Sequence, residues 1–72
     1  MEVYRNINGD SNVEAYEIGS DFIRVKFART TKIYQYSYRR AGRENVEIMK
    51  ELARNGDGLN SFIKKNVEKL YD

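Results

Sequence analysis

The hydrophobic period of this 72-residue chain changes once, from two to about 3.6, and that change limits what the chain can fold into. Over Phe22–Phe27, Ile23, Val25 and Phe27 alternate with Phe22, Arg24 and Lys26, the pattern of a half-buried strand. From residue 44 the spacing becomes helical. Asn45, Ile48, Met49, Leu52 and Ala53 lie on one stripe of a helix over 44–54, with Val46 at its margin. Leu59, Phe62, Ile63, Val67 and Leu70 then recur at helical spacing, opposite Ser61, Lys64, Lys65, Glu68 and Lys69. Strands followed by helices, rather than alternating with them, predict an α+β domain with both helices packed on one face of a small antiparallel sheet.

Two further strands complete that sheet. Residues 12–18 carry Val13, Ala15, Tyr16 and Ile18 and end at Gly19-Ser20-Asp21, a turn cluster that predicts a hairpin into the 22–27 strand. A bend over 28–31 leads to a third strand, 32–38, dense in β-formers. The expected topology is a three-stranded antiparallel β-meander followed by two helices, β-β-β-α-α. The segment 2–7 reads as a short strand or as an arm lying on the core. Asn-Gly-Asp occurs at 8–10 and again at 55–57, two separate turn signals. In the second, Asn55-Gly56 is the stop of the first helix, with Gly56 at its C′ position. A chain this short makes a single domain, 1–72, and cannot hold two independent cores.

The absent residues narrow the chemistry. With no Cys there is no disulfide, thiolate nucleophile or zinc-thiolate site, and with no His the usual general base and soft-metal ligand are missing. That inventory fits a reducing, cytoplasmic setting. Apolar residues never run longer than two or three, so no membrane span, secretory segment or lipid anchor is expected. Glu14 and Glu17 fall on opposite faces of a strand, and Glu47 and Glu51 read as the solvated face of a helix alongside Glu44. There is no glycine-rich phosphate loop, no serine or threonine with a plausible base, and no lysine in an apolar setting that would depress its pKa. The expectation is a non-enzyme without metal or cofactor.

Charge is segregated along the chain. Residues 1–21 hold one base against five acids, a net of −4, while 44–72 hold five bases and six acids. Between them, 22–43 contains Arg24, Lys26, Arg29, Lys32, Arg39, Arg40 and Arg43 and no acid, a net of +7. Such a block is either an electrostatic footprint for phosphate or a strand face balanced in space by the acidic N-terminal segment.

Tyr34, Tyr36 and Tyr38 alternate with Ile33, Gln35 and Ser37, so a strand over 32–38 sends all three rings to one face. They form a stacking platform for unpaired bases flanked by Lys32 and Arg40, or they are the core side of the strand, since a domain this small needs its aromatic area for burial.

Three pieces of the chain together resemble the KTSC domain, named after the C-terminal extension of certain lysyl-tRNA synthetases and also found as a stand-alone small bacterial or phage protein. They are Ser11-Asn12-Val13 with Ala15, then Ile33-Tyr34-Gln35-Tyr36, then Gly56-x-x-Leu59-Asn60-x-x-Ile63, and the resemblance spans about 11–67. The pattern's usual glycine before the tyrosines is replaced by Arg29-Thr30-Thr31-Lys32, and its Val-Pro before the first helix by Arg39-Arg40-Ala41. The resemblance implies a meander followed by two helices and suggests RNA binding through the Tyr-x-Tyr motif. It makes Gly56, Leu59, Asn60 and Ile63 a structural motif in which Asn60 caps or braces the start of the last helix.

The function expected from these readings is weak binding of RNA or single-stranded nucleic acid. Arg24, Lys26, Arg29, Lys32, Arg39, Arg40 and Arg43 contact phosphates, and Tyr34, Tyr36 or Tyr38 stacks on bases. The alternative is a protein-interaction module or small phage-type inhibitor using the same Arg and Tyr side chains as interface anchors. The two differ spatially. Convergence of the seven bases on one face with an exposed tyrosine favours nucleic acid, and neutralisation by acids of 1–21 favours a protein partner or none. A third reading is oligomerisation through an edge strand at the N-terminus or at 32–38.

Overall fold

Phe22–Phe27, the segment of cleanest alternation, is an inner strand of the sheet, and the rest of the domain is arranged around its buried face. A computed structural model describes residues 1–7, 9 and 12–72. The turn expected at 8–10 and the Ser11 end of the KTSC resemblance involve Asn8, Asp10 and Ser11, which lie outside the described residues. The strands are β1 (Glu2–Val3), β2 (Val13–Ile18), β3 (Phe22–Phe27) and β4 (Ile33–Ser37), hydrogen-bonded antiparallel in the order β1-β2-β3-β4. Three helices follow: α1 (Tyr38–Ala41), α2 (Arg43–Asn55) and α3 (Leu59–Phe62), the last running directly into a π-helical turn at Ile63–Val67. The class is α+β, with one strand and one short helix more than the sequence pattern suggests.

The register places Tyr16 opposite Val25 and Val25 opposite Tyr34, with Ile18, Ile23 and Tyr36 aligned in the neighbouring row. These side chains form the inner face, and α2, α3 and the π-helical turn cover it with Val46, Met49, Ala53, Leu59, Ile63 and Val67. The outer face carries Glu17, Arg24 and Gln35 in one row, which is what period-two alternation demands.

Several expectations shift in register or extent. The buried stripe of α2 is Val46, Met49, Lys50 and Ala53, whereas Ile48 is exposed and Asn45 and Leu52 are half-buried. The helix is thus rotated from the face that hydropathy alone selects. Lys50 takes a place at the core because its stem packs while its ammonium reaches the Ser20 carbonyl at 3.2 Å and Glu47 at 2.9 Å. The last helix stops at Val67 instead of extending to Leu70, because the tail turns back to β4, where the Asp72 N–H donates to the Gln35 carbonyl at 2.7 Å. The third strand ends at Ser37, whose hydroxyl accepts from the Arg40 N–H at 3.3 Å and so caps α1. Tyr38 is therefore helical.

The N-terminal segment is both strand and arm. After β1 pairs with β2, Tyr4 inserts into the core, 4% exposed, and its hydroxyl accepts from the Leu59 N–H at 3.3 Å. The arm then crosses the end of α2, where the Ile7 N–H donates to the Gly56 carbonyl at 2.9 Å and Arg5 Nη2 donates to the Arg54 carbonyl at 2.7 Å. Gly56 ends α2 as its position after Asn55 predicts. At φ 74° its N–H bonds to the Ala53 and Leu52 carbonyls and the Asp57 N–H to Leu52, the Schellman arrangement. A Cβ on Gly56 would lie 2.7 Å from the Cβ of Arg5, so the arm can approach only glycine.

Gly56→Ala therefore suffers twice, through left-handed backbone strain of about 1–2 kcal/mol and through displacement of the arm. Gly9→Ala, at φ 73° with no described residue within 4 Å of the new Cβ, suffers only the first. Thermal melts should show the larger fall for Gly56→Ala, each kcal/mol being roughly 4–8 °C in a domain of this size. Equal falls would mean that the arm does not hold the helix end.

Candidate binding cleft

The fold separates the basic block into groups. On the outer sheet face Lys26 pairs with Glu14 at 2.6 Å, and Arg24 pairs with Glu17 at 3.3 Å while its Nε donates to Gln35 Oε1 at 2.8 Å. Arg24 and Glu17 face each other in the β2–β3 register, whereas Lys26 stands opposite Ala15 and reaches Glu14 at the register shift between Val13 and Ala15. That shift puts Glu14 on the same face as Glu17, not the opposite face that strict alternation predicts, so the acidic N-terminal third neutralises the first two bases. Arg29 and Lys32 sit in the β3–β4 turn. Arg39 and Arg40 lie on α1 and Arg43 opens α2, at the other end of β4 and roughly 16 Å away by strand rise. The seven bases do not converge on one face.

Nor do the tyrosines make an open platform. Tyr36 is 1% exposed at the centre of the core, and Tyr34 beside it is half-buried. Tyr38 belongs to α1, with Arg43 at 5.7 Å and Lys50 at 5.3 Å from its ring centroid and its hydroxyl donating to the Glu47 carboxylate. The hydrogen bonds from Tyr38 and then from Lys50 hold the Glu47 carboxyl below its usual range. Burial pulls the Lys50 ammonium down, but the hydrogen bond and charge of Glu47, with a smaller contribution from Tyr38, outweigh it and keep the ammonium above its ordinary value. Lys50 is thus a buried lysine held charged.

What the fold does bring together is the set of separated motif residues. Asn12 before β2, Tyr34 and Tyr36 of β4, and Asn60 and Ile63 after the Gly56 turn all line one cleft of about 340 Å³. Phe27 at the end of β3, Ala28 and Thr30 of the β3–β4 turn, Lys64 and Glu68, and the ring of Tyr71 complete its wall. A larger hollow of about 660 Å³ at the β1 edge has Tyr16 as its one ring and no amide side chain. The smaller cleft has the mixture of aromatic surface and separate polar groups that marks a ligand site.

The aromatic side is an edge-to-face array. Tyr71 meets Tyr34 with centroids 4.8 Å apart and Tyr36 at 6.4 Å, and Phe27 meets Tyr34 at 5.6 Å. Tyr71 is held there by its neighbour. The Asp72 carboxylate accepts from Gln35 Nε2 and from Ser37 Oγ, each at 2.7 Å, and these two bonds lower its pKa. Gln35, the middle residue of Tyr-Gln-Tyr, therefore joins Arg24 on the outer face to the tail that closes the cleft. Burial first, then the Tyr34 and Tyr71 hydroxyls and the Glu68 carboxylate, push the Tyr36 hydroxyl up to about 12, so it stays neutral.

Of the remaining motif positions, Leu59 and Ile63 are core residues. Asn60 does not cap the helix: α3 starts after Gly58 with no side-chain cap, and Asn60 is its second residue. Its half-buried amide lines the cleft without a hydrogen bond to any described residue. Thr30, Lys64, Glu68, Tyr71 and Asp72 carry no local signal of a site, because a pairing such as Asp72 with Gln35 spans 37 positions. Among the described residues no cluster of three or more acidic, His or Cys side chains could hold a metal ion, and no helix is long and apolar enough to cross a membrane.

Neither a family model, nor a curated protein, nor a solved structure matches the chain. The KTSC resemblance rests on its own three motifs.

The folded value of Asp72 lies below its ordinary 3.8, so its bonds contribute stability that is complete above 3.8 and lost as pH falls through the lower value. Acid should therefore release the tail before the core. Ring-current shifts of Tyr34 and Tyr71 followed by NMR should change in that acid range in the wild type, and Asp72→Ala should show the released shifts at neutral pH. A variant spectrum identical to the wild type would mean that the tail is held by Tyr71 packing alone.

Proposed function

We propose that the chain is a small non-enzymatic binding domain that takes single-stranded nucleic acid, RNA foremost, at the mouth of this cleft. The observation that supports the reading is the set of Arg29, Lys32 and Lys64. All three are exposed and have no ion pair to a described residue; Arg29 and Lys32 lie on the turn that forms the rim, and Lys64 lies on the facing wall. Unpaired cations beside aromatic surface are what a phosphate backbone with unstacked bases requires. The footprint is smaller than the whole 22–43 block, because Arg24 and Lys26 already have carboxylate partners.

Those same two pairs favour the rival reading, a protein partner engaged by Arg39, Arg40 and Arg43 at the opposite end. Anisotropy with labelled single-stranded RNA at low and moderate salt separates the two. Saturable binding is expected, and Arg29→Ala/Lys32→Ala should flatten the salt dependence by about 1.4 in log–log slope, two contacts at about 0.7 each. Arg39→Ala/Arg40→Ala should lose much less. No binding at low salt sinks the nucleic-acid reading, and equal losses in both variants move the footprint away from the cleft.

A further inference from the structure

The cleft is better equipped than a backbone-binding groove needs to be. At about 340 Å³ it sits at the small end of the roughly 300–1,000 Å³ occupied by small-molecule sites, which is room for one base with its sugar at the mouth. Two carboxamides, Asn12 and Asn60, reach it from opposite ends of the chain with no hydrogen bond from either side chain to a described residue. A carboxamide presents a donor and an acceptor side by side, the complement of a base edge, whereas a phosphate can use only its donor. Tyr71, 41% exposed, leaves much of its ring to be covered.

Two charged side chains on one wall bear on which base edge the cleft would accept. Lys64 and Glu68 stand one helical turn apart on the same wall but form no ion pair with each other or with another described residue. A carboxylate accepts from an exocyclic amine, as from the N4 amine of cytosine, and repels the O4 carbonyl that uracil carries at the same position. We propose that the cleft seats a single unstacked nucleobase against Tyr71 and Tyr34, reads its edge with Asn12, Asn60 and Glu68, and prefers the amine-bearing bases to uracil. The proposal rests on the nucleic-acid reading for its biological setting, but its chemistry is that of the cleft alone.

Two measurements keep the two ideas apart. The first titrates CMP, AMP and UMP into the ¹⁵N-labelled protein and follows the side-chain amide signals of Asn12 and Asn60. CMP or AMP should shift both amides, and UMP should bind about tenfold more weakly. The second compares oligocytidine with an abasic oligomer of equal length by anisotropy. Oligocytidine should bind at least tenfold more tightly, and Asn60→Ala should narrow that gap. Glu68→Gln, at an exposed position where folding is not at stake, should erase the preference over oligouridine, with circular dichroism confirming that both variants are folded. Equal binding of abasic and base-bearing oligomers, with silent amides, overturns the base pocket and leaves the proposed function standing. Shifted amides with no oligomer binding support the pocket and overturn the RNA reading. Silence in both overturns both.

Discussion

The burial of Tyr36 is the constraint from which the rest of the arrangement follows. A domain of 72 residues without disulfides must build its core partly from aromatic rings, and this ring sits at the centre of the inner sheet face beside Ile23. Once Tyr36 points inward, Gln35 must point outward, where it accepts from Arg24 and donates to Asp72. The bond to Asp72 turns the tail along β4 and lays Tyr71 against Tyr34 and Tyr36. The cleft is the space left between that tail, the β3–β4 turn and the start of the last helix.

The same alternation explains why the basic block does not act as one surface. Arg24 and Lys26 alternate with Ile23 and Val25, so they must stand on the outer face, where Arg24 meets Glu17 across the register and Lys26 meets Glu14 at the register shift of the neighbouring strand. Exposed pairs of this kind add little to stability, but they cancel charge where it stands. The net positive charge of the middle third is thereby displaced to the two ends of β4, and one of those ends borders the cleft.

Lys50 is another consequence of packing a helix against a short sheet. Its neighbours Met49 and Ala53 fill the core, and its own stem has to be buried with them. Ser20, Glu47 and Tyr38 surround its ammonium with an acceptor, a carboxylate and a ring face, so the charge enters the protein without being left unpaired. No hydropathy stripe anticipates this. The ranking of residue types places lysine outside, and only the contacts of the folded chain reverse that placement.

Much of the fold was legible in the residues themselves. Alternation marked β3, the turn cluster at 19–21 marked the hairpin before it, and helical spacing with Gly56 as the stop marked α2, because backbone geometry imposes these periods locally. The extra strand β1 was ambiguous, since two residues carry no period, and Tyr38 was misplaced because the hydroxyl of Ser37 stops the strand as a helix cap. The candidate site was legible only as fragments. Asn12, Tyr34, Tyr36 and Asn60 stand out as motif positions, yet the chain order says nothing of their meeting, and Asn60 is not a cap because α3 begins at Leu59 behind Gly58. Charge totals and periodicity are properties of neighbouring residues, and the sequence determined them alone. Which cations keep a free charge, which tyrosine keeps an open face and which amides share a cleft depend on contacts between distant segments, and the tertiary structure decided those.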